Sequence, residues 1–280
     1  MISVRNLFLQ CAFVCIVIST FSTNVLASEK KGVGLTDLNS PEKINALNVS
    51  WYYTWKTEPI DGVVGSEFVP MLFGRDQLDK QIQTIRSRGK VPVLLAFNEP
   101  NRKKNAISVE QVIRRWPEIS ALADSISGPG TANGNVSEPW FQKFFHMSKT
   151  KNLKFDFMAV HIYMPPDATK FLERLDALHD KYQMPIWITE FAARDIDAAQ
   201  WKCKVDCNNR YSEEEVLAFM KIVLPELEKR EYIVRYAWFG AGMRSHQHEQ
   251  VRTSSLFEKD GSLTLLGKYY ADFEYSQNSQ

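Results

Sequence analysis

Two glutamates stand directly after apolar runs of the sequence, where they could act as a pair. "LLAFNEPN" (94–101) contains Glu99, and "PIWITEFA" (185–192) contains Glu190. Paired carboxylates suit glycoside hydrolysis, because one stays protonated and donates to the leaving oxygen while the other is ionised and attacks the anomeric carbon. A single glutamate at a strand end is more often a helix cap or a salt-bridge partner. Two of them, each after an apolar strand, favour the catalytic interpretation.

Other side chains at the ends of apolar runs extend this candidate site. Asn98 precedes Glu99 and could hydrogen-bond a sugar hydroxyl near the reacting carbon. His161 and Tyr163 are two residues apart and share one face of a strand, where they could orient the carboxylates or the sugar. Trp238 ends the last apolar run and could stack on a sugar face. For His161 and Trp238 the alternative, a residue packed in the core, stays open.

Aromatic residues fill the segment "VSWYYTW" (49–55), which contains Trp51, Tyr52, Tyr53 and Trp55. Because side chains alternate between the two faces of a strand, some of these fill the interior and others line a cleft. We predict that Trp51 and Tyr52 contact substrate.

Motifs for other chemistry are weaker. "HQHE" (246–249) resembles a metal-binding motif, but its histidines are two residues apart in a predicted loop. This position favours contacts with solvent or sugar. The sequence contains no G-x-S-x-G motif, which counts against a serine hydrolase of the nucleophile-elbow kind. We therefore predict no metal site.

The elements that must position these residues follow a recurrent rhythm of short apolar runs and longer amphipathic stretches. Helical periodicity marks 76–89, 169–182 and 212–230. The eight predicted strands are 32–35, 49–55, 67–72, 91–97, 125–130, 157–163, 185–191 and 235–240.

Strands separated by helices indicate a parallel sheet, and eight of them over about 240 residues suit a closed barrel. The predicted fold class is therefore α/β, a single (β/α)8 TIM-type barrel. A doubly wound open sheet is the alternative, but no G-x-G-x-x-G opens a helix. In such a barrel, Glu99 and Glu190 project from the carboxyl ends of their strands into one mouth.

The first residues have the features of a secretory signal. Residues 1–27 carry one charge, Arg5, then a short apolar core and small residues ahead of polar "SEKK". We predict that 1–27 is a signal peptide, that 28–280 is the barrel, and that 272–280 is a frayed tail. An uncleaved anchor is the alternative. The protein is then secreted or periplasmic.

Composition and charge limit the classes of binding partner that we expect. The chain has 280 residues, 44% of them hydrophobic, and a net charge of +1, which does not favour nucleic acid. No second long apolar run exists, so we expect no membrane partner after signal removal, and we expect a monomer. In an oxidising compartment Cys203 and Cys207 could close a small disulfide loop. A metal site there is less favoured, because no further Cys or His lies nearby in sequence.

The ordered motifs resemble glycoside hydrolase family 128, a group of β-1,3-glucanases with a (β/α)8 barrel. They extend from about residue 32 to residue 270. "NEPN" and "TEFA" alone occur in many barrel glycosidases, whereas the ordered set is more specific. The matching stretches are "SWYYTW", "FVPMLFG", "LLAFNEPN", "GPGTANG", "FDFMAVHIYM", "MPIWITEFA" and "RYAWFG".

The resemblance implies retaining hydrolysis, with Glu99 at the acid/base position and Glu190 at the nucleophile position. The implied carboxyl separation is about 5–5.5 Å. It also implies that no metal or organic cofactor is needed. One departure concerns Ile162, since such sequences often have Trp between the His and Tyr of this strand. If that Trp contacts substrate, a stacking surface is missing here, whereas a Trp facing the helix layer would make the change one of packing.

We expect an exported endo-β-1,3-glucanase that acts on laminarin or fungal-wall glucan. Two alternatives stay open. One is a retaining glycosidase of another polysaccharide, because loops set specificity. The other is a non-catalytic β-glucan-binding barrel.

Overall fold

A computed structural model describes residues 28–37, 40–198, 209–241 and 246–275, and strands and helices alternate through them. The strands are β1 Lys31–Leu35, β2 Trp51–Tyr53, β3 Glu67–Phe68, β4 Met71–Leu72, β5 Val91–Ala96, β6 Ala123–Ile126, β7 Met158–Met164, β8 Ile186–Ala193 and β9 Ile233–Ala241. The helices are α1 Pro41–Ala46, α2 Leu78–Ser87, α3 Val109–Ser120, α4 Pro139–Thr150, α5 Ala168–Tyr182, α6 Glu213–Lys229 and α7 Leu265–Asp272. Short 3-10 helices cover Lys103–Asn105 and His246–Ser254.

The strands form two parallel sheets, with the orders β3-β2-β1-β9-β8-β7 and β4-β5-β6. The sheets meet at both junctions. At one, β3 and β4 belong to a single run that Pro70 interrupts, since proline cannot donate to a strand ladder. At the other, parallel bridges join Ser127 to Phe157 and Thr131 to Val160. Counting the divided run once gives eight strand positions, as predicted for the (β/α)8 fold.

Two apolar layers hold the barrel together. Large side chains fill its interior, where Trp187 stacks on Phe157 at 4.4 Å between ring centroids. The other layer lies between strands and helices and contains most of the buried apolar residues. All of β8 is buried, as expected for a parallel strand covered on both faces.

The N-terminal caps of the helices follow sequence signals. Ser212 and Glu215 form the capping box expected at the start of α6, and Ser108 with Gln111 forms another at α3. These reciprocal bonds satisfy backbone N–H groups that a helix start leaves unpaired.

A buried lysine ties the first strand to the last helix. The Lys31 ammonium donates to the carbonyls of Tyr270, Ala271 and Phe273 at 2.8, 3.2 and 3.0 Å. Burial lowers the pKa of Lys31 to about 8.

The prediction of a frayed tail from residue 272 is wrong at its start, because Asp272 ends α7 and Phe273 packs in the core.

Other sequence predictions fall outside the described residues. These are the signal peptide (1–27), the possible disulfide between Cys203 and Cys207, and the histidine side chains of "HQHE". Within the described part of the chain, no helix has both the length and the apolar character needed to cross a membrane.

We predict that Gly32→Ala destabilises the barrel, because a methyl group there would lie 2.2 Å from Cε2 of Trp51. The Trp51 ring cannot move freely, since its Nε1 donates to the Lys30 carbonyl at 3.0 Å. Overpacking of this kind costs about 1–3 kcal/mol of unfolding free energy, or roughly 2–10 °C in Tm. Thermal unfolding measures it.

The matched control is Gly74→Ala. Gly74 is also buried, but nothing lies within 4 Å of the position where its Cβ would be. An equal loss of Tm in both variants would contradict the steric explanation.

Candidate active site

An unusual backbone turn presents Asn98 and Glu99 at the end of β5. Phe97 and Glu99 have φ angles of 57° and 47°, in the left-handed region that non-glycine residues rarely adopt. Two bonds hold this turn: the Asn98 N–H donates to the Phe73 carbonyl at 2.8 Å, and the Glu99 N–H to the Gly130 carbonyl at 2.7 Å. Strain of this kind persists where the surrounding structure over-determines it, commonly at functional sites.

Three titratable side chains converge in the mouth of the barrel. Glu99, His161 and Glu190 each place one oxygen or nitrogen atom within 4.8 Å of the other two. His161 Nδ1 lies 3.2 Å from Glu99 Oε1 and 3.5 Å from Glu190 Oε2. The imidazole therefore bridges the two carboxylates.

Aromatic donors hold both oxygens of Glu190. Trp55 Nε1 donates to Oε1 at 3.0 Å, and the Tyr163 hydroxyl donates to Oε2 at 2.5 Å. The same Trp55 N–H lies 3.2 Å from Asn98 Oδ1. Burial, together with the neighbouring Glu190, raises the pKa of Tyr163 well above its usual value, so its hydroxyl keeps its proton.

Charge coupling sets the protonation of the three converging groups. Burial alone lowers the pKa of His161, but Glu190 and Glu99 outweigh it and raise that pKa. Burial raises the pKa of Glu190, with His161 and Tyr163 opposing it. Burial also acts to raise the pKa of Glu99, but the hydrogen bond and charge of His161, with Arg102 and Arg194, lower it overall. In the free protein the proton thus favours His161 and Glu190 over Glu99.

The same three groups have ligand atoms of the kind that hold a metal ion. Their other contacts favour hydrogen bonding, because both Glu190 oxygens already accept from Trp55 and Tyr163. A raised pKa at His161 also disfavours the neutral imidazole that metal binding requires. That the protein needs no metal or cofactor stays a prediction.

The structure brings together five of the eight residues predicted for the site. Asn98, Glu99, His161, Tyr163 and Glu190 surround one point in the barrel mouth. His161 and Tyr163 share one face of β7, as their spacing predicts. Ile162, which lies between them on β7, has no exposed surface and belongs to the core between strands and helices. The presence of Ile162 in place of Trp therefore changes packing in that core.

The other three predicted residues lie in the core and have at most 2% of their surface exposed. Trp51 fills the barrel interior against Trp187, and the Tyr52 hydroxyl accepts from the Ile60 N–H. Trp238 faces the helix layer and donates to the Ser254 carbonyl at 2.7 Å. The structure thus corrects their prediction as substrate contacts, since burial leaves none of them a surface for a sugar.

Side chains that were not assigned to the site from the sequence also line it, among them Trp55, Arg102, Arg194 and Phe239. Strand alternation could have found Phe239, because it follows Trp238 and faces the opposite side. The positive φ of Trp55, 56°, aims its ring at Glu190, and no sequence pattern indicates that turn.

Three adjoining cavities form a cleft around the carboxylates. The largest, about 890 Å³, shares Trp55 and Phe73 with a second of about 420 Å³. The second shares Glu190 and Phe239 with a third of about 270 Å³, which Glu99 also lines. The carboxylates therefore lie between two arms of the cleft.

A barrel with two converging glutamates in its mouth defines a class of glycoside hydrolases. The family model "Glycosyl hydrolase catalytic core" matches residues 32–270, and the chain belongs to this family. It is a glycoside hydrolase.

Solved structures show which glycoside hydrolases this chain is similar to. An endo-β-1,3-glucanase of glycoside hydrolase family 128 from Amycolatopsis mediterranei, solved with laminaripentaose, is 27% identical with a TM-score of 0.72, over 88% of this chain and 99% of that one. A curdlan-specific exo-β-1,3-glucanase of the same family from Blastomyces gilchristii, solved with glucose, is 26% identical with a TM-score of 0.66, over 89% and 100%. The predicted resemblance to family 128 is confirmed.

A curated relative is longer than this chain. Alkali-sensitive linkage protein 1 of Schizosaccharomyces pombe is 27% identical over 249 residues, which are 84% of this chain and 42% of that protein. The chain thus spans less than half the length of this relative.

Proposed function

We propose that this protein is a secreted, retaining endo-β-1,3-glucanase with Glu190 as nucleophile and Glu99 as general acid/base. The observation that carries this proposal is the approach of the two carboxylates, whose nearest oxygens lie within 4.8 Å. A retaining pair is about 5–5.5 Å apart, whereas an inverting pair needs about 6.5–9.5 Å to admit a water molecule. The solved relatives act on β-1,3-glucan.

The first step forms a covalent glycosyl-enzyme. Glu99 donates its proton to the glycosidic oxygen while a Glu190 oxygen attacks the anomeric carbon, so the bond to the leaving sugar breaks as an ester forms. The donors on Glu190, Trp55 Nε1 and the Tyr163 hydroxyl, orient its carboxylate for attack. In the second step Glu99 removes a proton from water, which displaces Glu190 from the anomeric carbon.

Glu99 must be protonated for this chemistry, although the free protein disfavours that state. His161 supplies a route, because its Nδ1 lies 3.2 Å from Glu99 Oε1 and carries a proton when the imidazole is charged. A sugar in the cleft excludes water from Glu99, which raises the pKa of that carboxyl. The groups titrate as a coupled set, so one proton shared between Glu99 and His161 serves the acid step.

Internal cleavage of a polymer requires a cleft that continues on both sides of the carboxylates. Within the described residues, the larger cavities extend from Asn98 and Glu190, and the third extends from Glu99 past Arg102. This supports the endo mode over the exo mode. The substrate contacts that we assign are Asn98, Trp55 and Phe239.

Secretion rests on the sequence of residues 1–27, which has the charge, apolar core and small residues of a signal peptide. The expected form is a monomer outside the cytoplasm that binds β-glucan.

Purified protein incubated with laminarin, curdlan, barley mixed-linkage glucan and cellulose tests the proposal. We expect a ladder of β-1,3-linked oligosaccharides from laminarin and curdlan, with the β-anomer of each new reducing end appearing first by NMR. Glucose as the sole early product would contradict the endo mode. An α-anomer would contradict retention, and binding to all four without cleavage would favour a glucan-binding protein.

A further inference from the structure

The cavity beside Glu99 contains two arginines. Arg102 and Arg194 line this space of about 270 Å³, and the described acidic residues lining it are Glu99 and Glu190. The cavity on the other side of the pair is lined by Glu190, Asn98 and two lysines, Lys56 and Lys104, but within the described residues it contains no arginine and does not include Glu99. Because the acid donates to the leaving oxygen, the leaving sugar lies on the Glu99 side, next to the arginines.

The Arg194 guanidinium is fixed in place. Its Nε and Nη2 both donate to Gln250 Oε1, at 2.9 and 2.5 Å. Gln250 is itself held, since its Nε2 donates to the Ile196 carbonyl at 2.9 Å and its own carbonyl accepts from Asn209 at 3.1 Å. Within the described residues this leaves Arg194 Nη1 without a protein partner. A guanidinium pre-organised in this way loses little side-chain entropy when it binds a ligand.

Arg102 lines the same cavity and pairs with Glu99. Its Nε is 3.3 Å from Glu99 Oε2, and 45% of its side chain is exposed. Its remaining guanidinium nitrogens form no hydrogen bond or ion pair with another described residue and are available to a ligand. Burial and the nearby Arg102 both lower the pKa of Arg194, so the two cations are close enough to repel each other.

The charge on Glu99 offsets this repulsion only while it is ionised. In the acid step of the proposed mechanism Glu99 is neutral, and at that moment Arg102 and Arg194 face the leaving sugar without their shared counter-ion. An anionic group on that sugar would restore the balance of charge. Guanidinium groups bind carboxylate and phosphate through paired, charge-assisted hydrogen bonds.

We propose that this cavity is a leaving-group subsite for a sugar unit that carries an anionic substituent, held between Arg102 and Arg194. The inference rests on the proposed glucanase function and deepens it, because it concerns which units of a glucan occupy one position of that cleft. The shared chemistry is a carboxylate or phosphate group on an otherwise neutral β-1,3-glucan.

Two modified laminarins, one partly oxidised to carboxylate at C6 and the other partly phosphorylated at C6, test the inference. Cleavage turns the sugar from the leaving-group subsite into the new non-reducing end of the released product, so mass spectrometry of the products reports its occupant. We expect charged units at that end to be enriched roughly 3- to 10-fold over their abundance in the polymer. Enrichment with one polymer alone identifies the preferred anion.

The variants Arg194→Gln and Arg102→Gln should each reduce this enrichment toward the random value. Arg102→Gln is the safer of the two for folding, because among the described residues that side chain forms an ion pair with Glu99 alone. The control is Lys259→Gln, which removes one positive charge from an exposed turn outside the cavity and should keep the enrichment.

Random or depleted charged ends in the wild-type products of both polymers overturn the subsite. Unmodified laminarin is digested in parallel, so that a failure of the subsite proposal can be told apart from a failure of the proposed glucanase function. Cleavage of laminarin without enrichment rejects the subsite alone, whereas no cleavage of laminarin rejects the glucanase function on which it depends.

Discussion

Glu190→Ala lowers kcat on laminarin by roughly 10⁴-fold or more, the scale expected when a hydrolase loses its nucleophile. Without the Glu190 oxygen, no ester forms and the first displacement has no acceptor. Steady-state release of reducing ends measures the loss. The control is Glu110→Gln, which removes an exposed carboxylate paired with Lys143 outside the cleft and should keep full activity.

Sodium azide then identifies the lost role. In Glu190→Ala, azide enters the space of the missing carboxylate and attacks the anomeric carbon of an activated aryl laminaribioside, so the product is an α-glycosyl azide. Its α-configuration, read by NMR, assigns Glu190 as nucleophile. A β-glycosyl azide from this variant would instead place Glu190 in the acid/base role.

The position of Glu190 explains why its loss should be so costly. Its side chain is almost wholly buried, and Trp55 and Tyr163 each donate to one of its oxygens. Pre-organised donors stabilise the carboxylate as leaving group in the second step, because they need no rearrangement when charge returns to it. Alanine removes the reacting atom and takes the acceptor from the Tyr163 hydroxyl, whereas Trp55 Nε1 keeps Asn98 Oδ1 as an acceptor at 3.2 Å.

Sequence periodicity was sufficient to predict the fold. Apolar runs and helical stretches predicted eight strand positions, and both glutamates lie in one mouth, Glu99 after the end of β5 and Glu190 in the carboxyl-terminal half of β8. The division of the third strand at Pro70 is a local effect of the missing N–H donor. The tie between Lys31 and the end of α7 joins residues about 240 positions apart, and no local pattern contains it.

The site was predicted less completely because strand alternation leaves a one-residue ambiguity. A shift of one position exchanges the two faces of a strand, and Trp238 was chosen where Phe239 faces the cleft. Strand alternation does not separate Trp51 from Trp55, which are four positions apart, but Trp51 lies in the barrel interior and Trp55 follows the end of β2. Trp55 also depends on a positive φ, which follows from the tertiary fold.

The pKa shifts of the site residues could not be predicted from the sequence. The pKa of Glu99 depends on its distances to His161 and to the arginines, which come from separate loops and strands. The pKa of Glu190 depends first on its burial, with His161 and Tyr163 opposing that effect. In the free protein the neighbouring charges lower the pKa of Glu99 and burial raises that of Glu190, opposite to the order that the two proposed roles require in the first step. The acid role of Glu99 is therefore the assignment that most needs a direct experiment.

Glu99→Gln should slow laminarin hydrolysis by roughly 10²–10⁴-fold, the usual contribution of general acid–base catalysis. A dinitrophenyl laminaribioside needs no proton on its leaving group, so its first step should stay fast. Water attack without the base then becomes rate-limiting. We expect a burst of dinitrophenol equal to the enzyme concentration, followed by slow turnover, in stopped-flow absorbance.

Azide and pH complete this assignment. Azide needs no general base, so it should accelerate the slow turnover of Glu99→Gln and give a β-glycosyl azide, the opposite anomer to that from Glu190→Ala. With laminarin, kcat/KM of the wild type should fall as pH rises through the pKa of the Glu99–His161 pair, because the shared proton is lost. That alkaline limb should disappear in Glu99→Gln. An α-glycosyl azide from Glu99→Gln would reverse the two roles, in the order that the pKa shifts of the free protein indicate.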